Sequence, residues 1–139
     1  MSPEEYQRNK ENLKRAVWAT RVVEGSRWEV PDGWIDLTYD LLMEIYTVLK
    51  EKGTLDDYHL SQAKEKFGKL RWYDNCDDED VQAIVKRYEK YSAHTCVRCG
   101  EPAEFVSIEY ISPWCARDMQ ELDKAGHGLT FEYIDEFYE

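Results

Sequence analysis

The stretch "AKEKFGKLRWYDN", residues 63–75, decides the fold, because it reads two ways. With the two residues before it, "SQAKEKFG" offers good helix formers and then a glycine where a helix would end. Beyond Gly68, "KLRWY" alternates Leu70 and Trp72 with Lys69, Arg71 and Tyr73, which is strand periodicity. Residues 58–67 therefore stand open between helix and strand, and the strand reading is preferred. A tight turn at Phe67-Gly68, with Gly68 at positive φ, then makes the two halves an antiparallel hairpin.

That hairpin has chemical consequences. Lys66 faces Lys69, Lys64 faces Arg71 and Gln62 faces Tyr73 on one side, while Leu70 and Trp72 turn to the core. Like charges directly opposite each other destabilise a sheet by a few tenths to ~1 kcal/mol per pair. The compensation is either internal, from the acidic run Asp77–Asp80, or an external anion. Lys64, Lys66, Lys69, Arg71, Trp72 and Tyr73 form the candidate ligand-binding set. Arginine suits bidentate phosphate contacts, lysine supplies point charge, and an aromatic ring can stack on a base.

Working outward, Ser2-Pro3-Glu4-Glu5 has the spacing of a capping box, and the helix it starts is expected to run to about Val23 and stop near Gly25. Leu13, Val17 and Trp18 are its expected apolar face. After the turn residues of "PDGW", residues 31–34, a second helix is expected with Asp36 or Thr38 as cap and Gly53 as stop. Leu41, Leu42, Ile45, Val48 and Leu49 recur at helical spacing along it. A third helix spans about Asp78 to Ser92, burying Val81, Ile84, Val85, Tyr88 and Tyr91. Its first-turn carboxylates complement the helix dipole, and the spacing of a calcium loop is absent. A short helix is expected over Ala116–Lys124. Phe131, Ile134, Phe137 and Tyr138 of the acidic tail are expected to form a last amphipathic turn that docks on the core.

Four cysteines are present, but Cys76 lies alone in an acidic turn. The others spell "CVRCGEPA" and "PWCARD", a Cys96-x2-Cys99 knuckle followed by Cys115. Where a full zinc ribbon would place a fourth cysteine, three residues beyond Cys115, the chain has Asp118. Structural zinc takes four ligands and accepts carboxylate oxygen, so Cys96, Cys99, Cys115 and Asp118 are the candidate ligands of a structural zinc. His94 and His127 compete for the fourth position. A redox CxxC pair and a knuckle that has lost its metal are the other readings, although no thioredoxin-like context surrounds Cys96.

The strings "GWIDLTYDLL", "QAKEKFGKLRWY", "HTCVRCGEPA" and "PWC" resemble a group of small phage and prophage proteins. In that group a K-E-K-F-G-x-L-R-x-Y block precedes a cysteine knuckle. The block is matched by Lys64, Glu65, Lys66, Phe67, Gly68, Leu70, Arg71 and Tyr73, and the likeness covers about residues 33–118. This chain departs from the pattern where the second cysteine pair is reduced to Cys115 with Asp118. The resemblance implies a phage or bacterial setting and a compact α+β fold, and it brings no agreed activity.

With 139 residues, 42% hydrophobic and 34% charged, the chain is expected to be a single small α+β domain. Three to four helices would pack on a short antiparallel sheet over residues 1–93. A knuckle segment with an acidic tail, residues 94–139, would join them. No apolar run approaches the ~20 residues of a membrane span, and the start lacks an apolar signal region, so a cytoplasmic setting is expected, the host's if phage-encoded. A net charge of −11 argues against broad DNA binding. The sequence shows no nucleotide-binding glycine loop, no H-E-x-x-H and no G-x-S-x-G, so catalysis is not the expected role. The preferred reading is a non-catalytic phage accessory or anti-defence protein that binds an anionic, nucleotide-like ligand on the hairpin. One alternative is an acidic DNA mimic that inhibits a host defence protein. The other is an HNH-like or other metal-dependent nuclease.

Overall fold

A computed structural model describes residues 1–138 and shows a mixed α+β protein. In chain order the elements are α1 (Pro3–Glu24), β1 (Arg27–Glu29), α2 (Ile35–Lys52), β2 (Leu60–Lys66), β3 (Lys69–Asp74), α3 (Glu79–Ser92), β4 (Phe105–Ser107), β5 (Ser112–Trp114), α4 (Ala116–Lys124), β6 (Phe131–Tyr133) and α5 (Ile134–Phe137). No helix among the described residues is long and apolar enough to cross a membrane.

Residues 60–66 are strand, and β2 and β3 form the expected hairpin, with Gln62 opposite Tyr73, Lys64 opposite Arg71 and Lys66 opposite Lys69. Gly68 takes φ 82°, and a Cβ there would also stand 3.0 Å from the Ile111 side chain. Phe67 takes φ 54° as well, a left-handed conformation that costs an L-residue about 1–2 kcal/mol. Ala63, Leu70 and Trp72 are buried against the helices. The indole N–H of Trp72 donates to the Tyr58 hydroxyl (2.8 Å), which donates to Asp74 (2.6 Å), so the ring is fixed by a buried polar relay.

A strand that the sequence did not announce, β1, adds in parallel to β2, pairing Trp28 with Ala63 and Glu29 with Lys64. Three residues are too few to show an alternation. The other edge of this sheet is covered by α3, where the Leu70 N–H donates to Ser92 Oγ at 2.8 Å. That bond satisfies one outward-facing donor of the edge strand.

The helices follow their signals, with three corrections. Ser2 caps α1 by accepting the Glu5 N–H at 3.1 Å, as its spacing implies. Its buried face is Trp18, Ala19 and Val22, however, while Leu13 and Val17 are 64% and 57% exposed. Trp18 carries the largest apolar area and sets the rotation of the helix by packing on Tyr46 and Tyr58. Helix α2 begins earlier than expected, after a 3-10 turn over Asp32–Trp34, and neither Asp36 nor Thr38 caps it. Thr38 is buried one turn inside, donating to the Trp34 carbonyl at 2.8 Å. In α3, capped by Asp78, Tyr91 is 48% exposed and lies outside the buried stripe.

After α3 the chain makes a second sheet of three short antiparallel strands in the order β5-β4-β6. The tail does dock, but as β6 followed by α5, with Ile134 buried against Ala103 and Val106. The "PDGW" segment joins the two parts of the molecule. The Gly33 N–H donates to the Val97 carbonyl at 2.8 Å, and the buried Trp34 indole donates to the Thr95 carbonyl at 2.9 Å. A Cβ on Gly33 would lie 2.1 Å from the Cys96 carbonyl oxygen, so only glycine permits this approach.

Candidate functional site

The knuckle is held open as a narrow loop. Thr95 bridges Pro102, the Cys96 N–H donates to the Glu101 carbonyl (2.8 Å), and Gly100, at φ 83°, donates to the Cys96 carbonyl (3.0 Å). These bonds turn the side chains of Cys96 and Cys99 inward. Across from them, Cys115 is the N-cap of α4, and one helical turn later Asp118 comes back to the same point. The four ligand atoms of Cys96, Cys99, Cys115 and Asp118 all lie within 4.8 Å of one another.

Asp118 Oδ2 is 3.3 Å from both Cys96 Sγ and Cys115 Sγ, and Cys99 Sγ is 3.6 Å from Cys115 Sγ. A tetrahedral ion with sulfur at ~2.3 Å and oxygen at ~2.0 Å has donor–donor edges of about 3.5–3.8 Å. The spacing and the donor types therefore fit a metal ion, and this cluster could hold one. His94 and His127 stand outside it. His94 is exposed with its ring against Tyr138, and His127 lies on the rim of a separate cleft.

Electrostatics sharpen the same point. Asp118 is 3% exposed, an unusual place for a carboxylate. Burial works to raise its pKa, but the hydrogen bonds from the three thiols outweigh burial and hold it below the ordinary value. Burial pushes the Cys96 thiol up and the Cys115 thiol up to about 12. A bound cation would favour the thiolates instead. Arg98 and Arg117 lie 3.7 and 3.8 Å from Asp118 Oδ1 and offset the negative charge of the donor set. Neither arginine was legible as part of the centre, although Arg98 sits inside the knuckle motif itself.

The second candidate is the open face of the first sheet. Lys64, Lys66, Lys69, Arg71 and Tyr73 share it, and Trp72 is turned to the opposite face, where it packs edge-on to Trp28. Trp72 is 6% exposed and offers no ring to a ligand. Two of the acids expected to compensate the cations are occupied elsewhere, and Glu89 of α3 is the carboxylate that acts on Arg71. Asp78 and Asp80 both grip Lys52 at 2.7 Å, and Glu29, beside Lys64, pairs with Arg27 at 2.7 Å. Glu65 projects to the other face and accepts from the Gly68 N–H and the Ser112 hydroxyl, each at 3.3 Å. Among the described residues, none of the four hairpin cations makes an ion pair.

Between the two candidates lies a cleft of about 690 Å³, lined among others by Lys64, Glu65, Arg98, Trp114 and His127. Its charges are mixed, and Lys64 is the residue it shares with the cationic face. Cys76 is half-buried and remote from the other three cysteines, and burial raises its thiol pKa. Compared with known families, curated proteins and solved structures, the chain matches none. Fold and site thus define a small α+β protein with a Cys3Asp cluster that could hold a metal ion and a cationic hairpin.

Proposed function

We propose that this is a non-catalytic binding module, braced by a structural zinc, whose cationic hairpin face takes an anionic, nucleotide-like ligand. The observation that carries the reading is the pair of opposed like-charge rungs, Lys66–Lys69 and Lys64–Arg71. None of their cations makes an ion pair within 4.0 Å among the described residues, although Glu29 lies beside Lys64, Glu89 acts on Arg71 and the Tyr138 ring lies against Lys69. Such rungs weaken a sheet in isolation, and a phosphate lying across them removes the penalty. In the phage setting that the resemblance implies, holding a host nucleotide without changing it would suffice as an activity.

Zinc is the metal this reading assigns to Cys96, Cys99, Cys115 and Asp118. Three thiolates with one oxygen suit it, and four protein donors leave no open position for a reactive water. The nuclease alternative would need a histidine base beside an open metal, and both candidate histidines stand apart from the cluster. The acidic-mimic alternative draws less support, because Asp78 and Asp80 are tied to Lys52.

Two measurements test the proposal. Elemental analysis should find one zinc per folded chain. Calorimetry with nucleoside triphosphates should show binding that the double variant Lys64→Ala/Arg71→Ala loses, with the nucleotide recovered intact. A correctly folded wild-type chain that binds no phosphate compound, or that converts the nucleotide, overturns the ligand reading.

A further inference from the structure

Phe67 occupies the hairpin tip in a conformation unfavourable to it on two counts. Its φ of 54° lies in the left-handed region, where a bulky L-residue is an outlier. Its ring is 65% exposed and belongs to neither apolar cluster of the molecule. Asparagine or aspartate at this position of the turn would remove both penalties and keep the hairpin. The turn itself is anchored by Gly68 against Ile111 and by the Glu65 carboxylate on the Gly68 N–H, so the ring is not needed to form it. An exposed, conformationally costly aromatic at a binding surface is an observation that points to function.

The surroundings say what kind. Lys66 Nζ stands 5.7 Å from the Phe67 ring centroid, and Lys69 follows directly after the turn. The tip is therefore the end of the cationic face, with the first like-charge rung beside the ring and the second about 7 Å further along the strands. Tyr73, the other exposed aromatic of this face, lies past both rungs at the far end.

We propose that Phe67 is the base-stacking element of the anion site, so that the ligand is a phosphate compound bearing an aromatic base and not a bare polyanion. Its phosphates bridge the Lys66–Lys69 and Lys64–Arg71 rungs, and its base lies on the Phe67 ring. This inference rests on the anionic-ligand reading above. Stacking on a side-chain ring tolerates any base, so the four common nucleoside triphosphates are sufficient probes.

The experiment is calorimetry of the full-length, metal-replete chain with ATP, GTP, CTP, UTP and inorganic tripolyphosphate, repeated on Phe67→Asn and Phe67→Tyr. In the wild type at least one nucleotide should bind about tenfold or more tighter than tripolyphosphate. Phe67→Asn should erase that margin while leaving tripolyphosphate affinity unchanged, and Phe67→Tyr should keep it. The asparagine variant should also melt about 3 °C higher, which shows that its loss of binding is not unfolding. Equal binding of nucleotides and tripolyphosphate by the wild type overturns the stacking role and leaves the anion site standing. So does undiminished nucleotide binding by Phe67→Asn. A wild type that binds neither class overturns both readings together.

Discussion

The two halves of the molecule are stabilised in different ways. Residues up to Tyr88 contribute eighteen buried apolar side chains to one cluster, in which α1, α2, α3 and the first sheet share Trp34, Leu41, Ile45, Leu60 and Leu70. The segment after His94 has a cluster of only Ala103, Val106 and Ile134. A large buried side chain contributes about 1.5–3 kcal/mol, so the first part is far better supplied with core than the second. The Cys96, Cys99, Cys115 and Asp118 cluster lies where a bound ion would cross-link the knuckle to α4. A small unit with little core benefits from such a staple.

The strongest way to break this comparison is to remove the staple. Cys115→Ser should abolish metal content and unfold the C-terminal segment, a loss bounded by the ~10 kcal/mol or more that structural zinc contributes in small metal domains. The helical core should survive, so limited proteolysis should cut beyond residue 94 and spare α1–α3. Next in size is a pair within the core. Trp18→Ala should cost about 3–5 kcal/mol in urea denaturation, while Leu13→Ala on the exposed side of the same helix should stay within about 0.5 kcal/mol. Equal effects would mean that α1 packs through another face.

Gly33→Ala probes the joint between the halves. The added methyl would meet the Cys96 carbonyl at 2.1 Å, so backbone must move, and a loss of about 1–3 kcal/mol is expected. It should appear chiefly as weaker metal retention, measured by competition with a chromophoric chelator. The smallest effect is expected on the hairpin. Lys64→Ala should raise stability by a few tenths of a kcal/mol at most, because it removes the like-charge Lys64–Arg71 rung, which Glu29 beside Lys64 offsets in part. A fall in stability at low salt would show that an unrecognised acid already satisfies Lys64.

The hairpin was legible in the sequence down to its register, because a glycine at the turn and alternation on β3 leave one pairing that buries Leu70 and Trp72. The convergence of Cys96, Cys99, Cys115 and Asp118 was legible as well, since the spacing from Cys115 to Asp118 is one helical turn. The three-residue strands β1, β4, β5 and β6 were not, because strands so short carry no periodicity and exist only through their partners. Leu13 and Val17 misled because spacing shows that a stripe exists but not which stripe faces a neighbour. Trp18 settled that by its size. The roles of Gly33, Arg98 and Arg117 depend on segments far apart in sequence meeting at the knuckle. The left-handed Phe67 escaped notice because composition alone gives no reason to put an aromatic there.

Amide hydrogen exchange of the purified chain, before and after a strong zinc chelator, tests the central claim most directly. With one metal per chain at the start, chelation should strip protection from residues 94–138 while α2 and α3 keep theirs. A folded chain that carries no metal, or one whose C-terminal protection is unchanged when the metal is withdrawn, would contradict the account.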